Sequence, residues 1–72
     1  MANNFVITKH VATLSEKKDG ETLELNHVRW NGKSEKWDLR RWGVDEDGNR
    51  IAYKGVAMTD CEWAMLQKII IE

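Results

Sequence analysis

Short runs that alternate between apolar and polar residues divide the chain, and each run ends at a signal for a tight turn. The pairs Asp19-Gly20, Asn31-Gly32 and Asp47-Gly48 favour hairpin turns. Around them lie four extended candidates, which are about Phe5–Leu14, Thr22–Trp30, Lys36–Trp42 and Ile51–Met58. With no proline in the chain and no long linker, this pattern predicts successive hairpins that form an antiparallel four-stranded meander.

The phase of the apolar residues predicts which side chains share a face in the first two strands. One face of the first strand is formed by Phe5, Ile7 and Val11, and the other by Thr8 and His10. In the second strand the apolar phase changes, since Leu23 and Leu25 are in step with each other but not with Val28 and Trp30. A change of phase normally requires a bulge, and we predict one near Asn26-His27.

The third and fourth strands give a clearer division into faces. Trp37 and Leu39 share one face of the third strand, and the other carries Lys36, Asp38, Arg40 and Trp42. In the fourth strand Val56 and Met58 are predicted to point inward, with Lys54 in register with them near the start of the strand.

The segment from Thr59 to Glu72 is predicted to be a helix. Thr59 and Glu62 form a capping box, and Met58 with Trp63 has the spacing of a hydrophobic staple. A core-facing stripe is predicted from the helical spacing of Trp63, Leu66 and Ile70, and Met65 with Ile69 widens it. That apolar surface exceeds what one short helix on a small sheet requires, which indicates a partner copy.

These elements predict one α+β domain over residues 1–72, in the order β-β-β-β-α. A chain of 72 residues buries only about 60% of the surface that its unfolded form exposes, and its single cysteine, Cys61, excludes an internal disulfide. It also shows no plausible set of zinc ligands. We therefore expect a homodimer. The first ten residues lack the pattern of a signal or transit peptide, and no apolar stretch is long enough to span a bilayer.

The charge distribution is more informative than the net charge of −1. Residues 29–42 contain five cations and two carboxylates, a local balance of +3, whereas residues 15–28 and 59–72 each sum to −2. A cationic block between acidic ones presents a basic face on a nearly neutral molecule. The stretch KWDLRRW, residues 36–42, combines these cations with two indoles.

Aromatic rings among cations are typical of surfaces that bind single strands, because bases stack on the rings while Lys and Arg follow the phosphates. Trp63 and Trp37 are interpreted as core residues, and Trp30 and Trp42 as candidate stacking residues. Arg40 lies on the face of Asp38 and Trp42, which are predicted to hold its guanidinium plane, although a plain surface ion pair with Asp38 is the alternative.

No catalytic or metal site is predicted. His10 and His27 lie on separate strands without an obvious partner, and Cys61 has no base near it in sequence. The acidic run Asp45-Glu46-Asp47-Gly48-Asn49 lacks the spaced ligands of a calcium loop and is interpreted as a turn. We expect a protein that is not an enzyme and uses no cofactor.

The region from Val28 to Leu66 resembles the single-stranded nucleic-acid-binding domain of the transcriptional positive cofactor 4 (PC4) family, in particular its short bacterial YdbC-type members. The matching pieces, in order, are VRWN at 28–31, WDLRRW at 37–42, KGVAMT at 54–59 and Glu62-Trp63, with Leu25-Asn26 fitting the bacterial form. The resemblance implies a dimer whose sheets bind single-stranded DNA, and often RNA, with little sequence preference. It also implies the bacterial cytoplasm.

The resemblance also implies roles for individual residues. Trp30 falls on a base-stacking position, and Lys33, Arg40 and Lys54 fall on positions that contact the backbone. Gly43 departs from the pattern, since eukaryotic members have a second stacking tryptophan there, and whether Trp42 replaces it is open. The complete candidate set for nucleic-acid binding is Trp30, Lys33, Lys36, Arg40, Trp42, Lys54, Arg29 and Lys18. Lys18 lies in a hairpin loop, where a lysine commonly serves solubility alone.

The leading hypothesis is thus non-catalytic, largely sequence-independent binding of single-stranded DNA or RNA by a homodimer, in transcription regulation or DNA maintenance. The alternative is a protein-interaction module whose exposed tryptophans dock a partner chain. Neither hypothesis involves a membrane or a small-molecule substrate.

Overall fold

A computed structural model describes residues 4–71, and its elements follow the order predicted from the sequence. These elements are β1 Phe5–Glu16, β2 Thr22–Trp30, β3 Lys36–Val44, β4 Arg50–Met58 and α1 Asp60–Ile71. The strands form one antiparallel sheet in the order β1-β2-β3-β4. The predicted α+β meander is therefore confirmed, and Glu72, the last residue of the predicted helix, lies outside the described residues.

Each connection between strands contains the predicted pair of turn residues. Gly20 and Gly48 have φ angles of 91° and 84°, and Asn31 and Gly32 have φ angles of 51° and 74°. The backbone N–H of Lys33 donates to the carbonyl of Trp30 over 2.9 Å. Two successive positive φ angles inside such a hydrogen-bonded turn define a type I′ turn. The turn brings Lys33 back beside the end of β2.

The cross-strand register separates the two faces of the sheet. Asn26 pairs with Asp38, and side chains two residues away along each strand point to the same side, here called the inner face. Trp30 and Trp42 belong to this face and lie toward opposite ends of the β2–β3 pair, yet their ring centroids are only 6.4 Å apart. Two rings at opposite ends of a strand pair can come this close only if the sheet is concave on that side. The sheet therefore curves around its inner face.

The other face, here called the helix face, is partly covered by α1. The rings of Trp37 and Trp63 stack with centroids 4.3 Å apart and an interplanar angle of 15°. The indole N–H of Trp37 also donates to Oδ1 of Asp60 over 3.1 Å. These contacts confirm that Trp37 lies on the face opposite Asp38 and packs in the interior between sheet and helix.

The start of α1 has the predicted capping box. The N–H of Thr59 donates to Oε1 of Glu62 over 2.8 Å, and the N–H of Glu62 donates to Oγ1 of Thr59 over 3.2 Å. Each side chain thus satisfies a backbone donor that the first helical turn leaves free. Within residues 4–71 no helix has both the length and the apolar character needed to cross a membrane.

The bulge predicted near Asn26-His27 is wrong. The β2–β3 register runs without interruption from the pair Thr22–Trp42 to the pair Val28–Lys36. The apolar phase changes along β2 without a bulge, because Leu23 and Leu25 lie half-buried on the helix face and Val28 lies buried on the inner face. A strand with apolar residues on both faces has no need to keep one apolar phase.

The irregular strand is β1 instead, with register shifts between Ile7 and Lys9, His10 and Ala12, and Thr13 and Ser15. Val11 is the extra residue of the second shift and is 38% exposed. His10 pairs with Asn26 on the inner face, so His10 shares the face of Phe5 and Ile7 rather than the opposite face as predicted. After each extra residue, the side chains that would have pointed to one face of the sheet point to the other. A strict period of two therefore cannot describe this strand.

Two further apolar residues predicted to point inward are exposed. Val56 on β4 is 52% exposed and Ile70 on α1 is 67% exposed, whereas Met58 is buried as expected. The helix of twelve residues packs only against β3 and β4, so the sheet offers no cover to the last helical turn. Together with Met65 and Ile69, these residues leave an apolar surface on the protomer.

Candidate nucleic-acid interface

An arginine held flat against a tryptophan forms the centre of the candidate site. Nε of Arg40 donates to Oδ1 of Asp38 over 2.6 Å, and Nη2 donates to Oδ2 over 2.8 Å. The guanidinium carbon lies 4.5 Å from the centroid of the Trp30 ring, whose N–H also donates to Asp38 over 3.2 Å. One carboxylate therefore orients both the guanidinium plane and the indole beneath it.

Burial explains why this arrangement is rigid. Asp38 is fully buried, and the side chain of Arg40 is only 15% exposed. A buried carboxylate is costly unless it is paired and hydrogen-bonded, and a two-pronged arginine contact supplies both conditions. The predicted Asp38–Arg40 contact is confirmed, but the pair is buried rather than on the surface, and the ring it lies on is Trp30 rather than Trp42.

Arg40 is also bound to the neighbouring strand. Its Nη1 donates to the carbonyl oxygen of Tyr53 over 3.1 Å, so three of the five guanidinium N–H donors are used inside the protein. Gly55, which pairs with Arg40 across the β3–β4 ladder, leaves room for the side chain. A Cβ at position 55 would lie 1.8 Å from the Cβ of Arg40, so only glycine fits there.

The prediction that Trp42 stacks with a base is wrong for the protomer as it folds. Trp42 is 1% exposed, with its ring centroid 5.1 Å from that of Phe5 and the guanidinium of Arg50 5.1 Å above it. The curvature of the sheet places this side chain at the bottom of the concave face. Trp42 therefore does not replace the aromatic residue that is absent at Gly43.

The remaining predicted cations fall into two groups. Lys33 and Lys36 are exposed at the end of the sheet where Trp30 ends β2, and Lys36 lies on the inner face opposite Val28. The structure thus brings Trp30, Lys33, Lys36 and Arg40 into one region, with exposed Lys54 on β4 next to the partner of Arg40. Arg29 points to the helix face, and Lys18 lies in the hairpin at the other end of the sheet.

The loop that carries Lys33 is fixed by a carboxylate that sequence reasoning did not single out. Glu35 accepts a hydrogen bond from the hydroxyl of Thr8 and contacts Nδ1 of His27 over 2.8 Å. The hydroxyl of Thr8 and then the His27 ring hold the pKa of Glu35 below its usual value. His27, which has no obvious partner in the sequence, therefore helps to anchor the β2–β3 connection.

A polar cluster on the inner face was also missed. Glu24 is 4% exposed and Asn26 is fully buried, and they line a cavity of about 250 Å³ together with His10 and Arg50. Nη2 of Arg50 donates to Glu24 over 2.7 Å, and Nδ1 of His10 lies 2.7 Å from Oδ1 of Asn26. The only sequence signal was the placement of Glu24 and Asn26 in phase with the buried Val28.

Glu24 remains an acid of lowered pKa in this cluster. Burial works to raise its pKa, but hydrogen bonds from Thr22, Arg50 and Asn26, with the charge of Arg50, together bring the pKa below its ordinary value of 4.5. At neutral pH the Glu24–Arg50 pair is therefore charged, and it connects β2 to the start of β4 across the aromatic rings.

The acidic run that resembles a calcium loop is a turn, as predicted. Oδ1 of Asp45 accepts hydrogen bonds from the backbone N–H groups of Asp47 and Asn49, each over 2.9 Å. Among residues 4–71 no group of three or more His, Cys, Asp or Glu is placed to hold a metal ion.

The described chain is thus a four-stranded meander with one C-terminal helix, and its inner face carries an arginine guanidinium over a tryptophan ring. Residues 17–69 match the family described as Transcriptional Coactivator p15 (PC4), and the chain belongs to this family, which confirms the resemblance to the PC4 family; the closer resemblance to its YdbC-type members stays a prediction. The family is non-enzymatic and is known for binding single-stranded DNA. The chain is also 34% identical over 67 residues to an uncharacterized protein of Treponema pallidum (strain Nichols), an alignment that covers 93% of this chain and 75% of that protein.

Proposed function

We propose that this protein binds single-stranded DNA or RNA as a homodimer, with little dependence on base sequence, in transcription regulation or DNA maintenance. The observation that carries the proposal is the guanidinium of Arg40, held 4.5 Å above Trp30 by a buried carboxylate. Bases of unpaired strands stack on arginine planes and on aromatic rings alike. Stacking of this kind tolerates any base, which explains binding without sequence preference.

The cations around this platform have a separate role in the proposal. Lys33 and Lys36 are exposed close to Trp30, and Lys54 is exposed beside the strand position that pairs with Arg40. Flexible lysines of this kind neutralise phosphates and release counterions, so their contribution falls as salt is added. Arg40 itself contributes less charge, because Asp38 neutralises it.

The geometry does not favour docking of a partner chain by exposed tryptophans. Trp42 is buried, and each of the other three tryptophans is half-buried against another aromatic ring, so none presents a fully exposed indole. Membership of the PC4 family adds to the case for nucleic acid.

The test is binding of an oligo-dT of about 12 nucleotides, a length within the usual site size of about 4–16 nucleotides. Affinity is expected to fall steeply between about 50 mM and 200 mM salt. Lys33→Gln is expected to weaken binding by the same factor for unrelated sequences and to reduce the salt slope by about 0.7, the value for one phosphate contact on a single strand. The matched control is Lys68→Gln, which removes the same charge from α1. Equal effects of the two variants, or tighter binding to duplex than to single strands, would contradict the proposal.

The dimer is proposed from the apolar surface of the protomer. Met65, Ile69 and Ile70 on α1 are 59%, 61% and 67% exposed, and Val56 on β4 is 52% exposed. Contiguous apolar surface on so small a domain marks an interface between chains. A second copy that packs α1 against α1 and β4 covers all four residues.

Light scattering is expected to give a mass twice that of the 8.4 kDa chain. Ile69→Glu is expected to return the monomer mass, because a charge buried at an interface without a partner is strongly unfavourable. The control is Ala64→Glu, which adds the same charge about 140° around the helix from Ile69. A dimer that survives Ile69→Glu would place the interface elsewhere.

A further inference from the structure

A tyrosine absent from the predicted site stands out on β4. Tyr53 is 45% exposed, although the end of its ring packs on the backbone of Gly43 in β3. A Cβ at Gly43 would lie 2.6 Å from Cε2 and Oη of Tyr53 and 2.8 Å from Cζ. The ring therefore fills the space that a side chain at position 43 would occupy, with its position fixed from below and much of its surface open.

The ladder beside this ring is irregular, and the ring lies on the helix face, because it covers Gly43, the neighbour of the inner-face residue Trp42. Arg40 pairs with Gly55 and Trp42 with Ala52, so two residues of β4 lie opposite the single residue Arg41. Such a bulge re-aims the side chains of its strand. Here the two extra-register residues are Tyr53 and Lys54, on an edge strand that can be approached from the side.

The bulge also holds an unpaired cation next to Tyr53 in the chain. Lys54 is exposed and forms no ion pair with any residue of the described chain, whereas Arg41, the β3 residue opposite the bulge, is exposed but lies 3.7 Å from Glu21. The carbonyl of Tyr53 also accepts a hydrogen bond from Nη1 of Arg40 over 3.1 Å. One guanidinium thus connects the backbone under Tyr53 to the Trp30 platform.

We propose that Tyr53 is a second stacking platform, on which a base of the bound strand packs while Lys54 contacts the adjoining phosphate. This inference rests on the proposed function and adds a residue and a subsite to it. A fixed aromatic ring with an open face between cations is the arrangement that unpaired bases use. The strand then passes from the Arg40–Trp30 platform on the inner face around the edge strand β4 to Tyr53 on the helix face.

The first test compares Tyr53→Leu with Tyr53→Phe in oligo-dT binding at two salt concentrations. Tyr53→Leu is expected to weaken binding about 5- to 150-fold, the range for loss of one stacked base, without changing the salt slope. Tyr53→Phe keeps the ring and is expected to bind within about twofold of the parent. Equal affinities of Tyr53→Leu and the parent would overturn the inference.

Gly43→Ala tests the role of Tyr53 by changing the residue on which its ring packs. The new methyl group would displace the end of the Tyr53 side chain, which can move without disturbing the backbone. Gly43→Ala is therefore expected to melt like the parent but to bind oligo-dT more weakly. In a chain that already carries Tyr53→Leu it is expected to add nothing, and an additive effect would contradict a role through the ring.

A measurement on the parent chain avoids any question of folding. Oligo-dT that contains 5-iododeoxyuridine, irradiated in the complex, is expected to cross-link to the tryptic peptide 51–54, which contains Tyr53. Absence of that cross-link, with others formed elsewhere, would overturn the inference. If the parent does not bind single strands at all, the proposed function fails with it. If the parent binds and Lys33→Gln weakens binding but Tyr53→Leu does not, only the Tyr53 subsite is wrong.

Discussion

Replacement of Arg40 with alanine is expected to lower the free energy of unfolding by about 3–5 kcal/mol, the usual cost of leaving one partner of a buried ion pair. Asp38 is fully buried and takes two hydrogen bonds from this guanidinium. Without Arg40, the Trp30 indole is the remaining side-chain donor to the carboxylate among the described residues. Guanidinium chloride denaturation at fixed pH measures the loss.

The double variant Asp38→Asn with Arg40→Met distinguishes a buried charge from lost packing. With both charges removed, no unpaired carboxylate stays buried, and the loss is expected to be smaller than for Arg40→Ala alone. If the double variant were instead destabilised by the sum of the two single effects, the pair would not act as a unit. Because Arg40→Ala is expected to be partly unfolded, its affinity for oligo-dT must be measured on the folded fraction.

Trp42→Ala is the second change with a large expected effect, a loss of about 3–5 kcal/mol in the free energy of unfolding. Trp42 is 1% exposed and contacts the rings of Phe5 and Trp30 at the centre of the concave face. Its removal leaves a cavity that the curved sheet cannot close without losing its shape. Chemical denaturation and the near-ultraviolet circular dichroism of the remaining tryptophans report the change.

Trp42→Phe is the matched control. The indole N–H of Trp42 is buried and has no hydrogen-bond partner among the described residues. A buried donor without a partner costs about 1–3 kcal/mol, so the phenylalanine variant recovers part of what its smaller ring loses. Because Trp42 is inaccessible, this folded variant is expected to bind oligo-dT within about twofold of the parent. A tenfold loss would show that Trp42 contacts the strand after all.

The order of elements was predictable because its signals are local. An Asx-Gly pair sets the backbone of each turn, and the Thr59–Glu62 capping box sets the start of the helix, whatever the rest of the chain does. The division of β3 into two faces followed from simple alternation. None of these features depends on how the sheet bends.

Curvature is one property that the sequence did not reveal, and the wrong prediction for Trp42 follows from it. A flat sheet would leave Trp42 on an open surface beside Arg40, whereas the concave sheet brings Trp30 over Arg40 and buries Trp42. The extra residues in β1 and β4 are likewise set by pairing with a neighbouring strand. Tyr53 was overlooked because its place over Gly43 depends on how β3 pairs with β4, which the sequence alone does not show.

The pairing of Arg40 with Asp38 lowers the number of cations that this protein can offer to the phosphates of a bound strand. The charge of Arg40 is already neutralised inside the protein by the carboxylate of Asp38. Among the cations of the candidate site, Lys33, Lys36 and Lys54 are exposed and are free to replace the counterions of a strand. In the proposed complex, the slope of log affinity against log salt is therefore expected to reflect about three charges per protomer, near −0.7 for each on a single strand. The stacking share of the affinity is what persists when ionic strength rises.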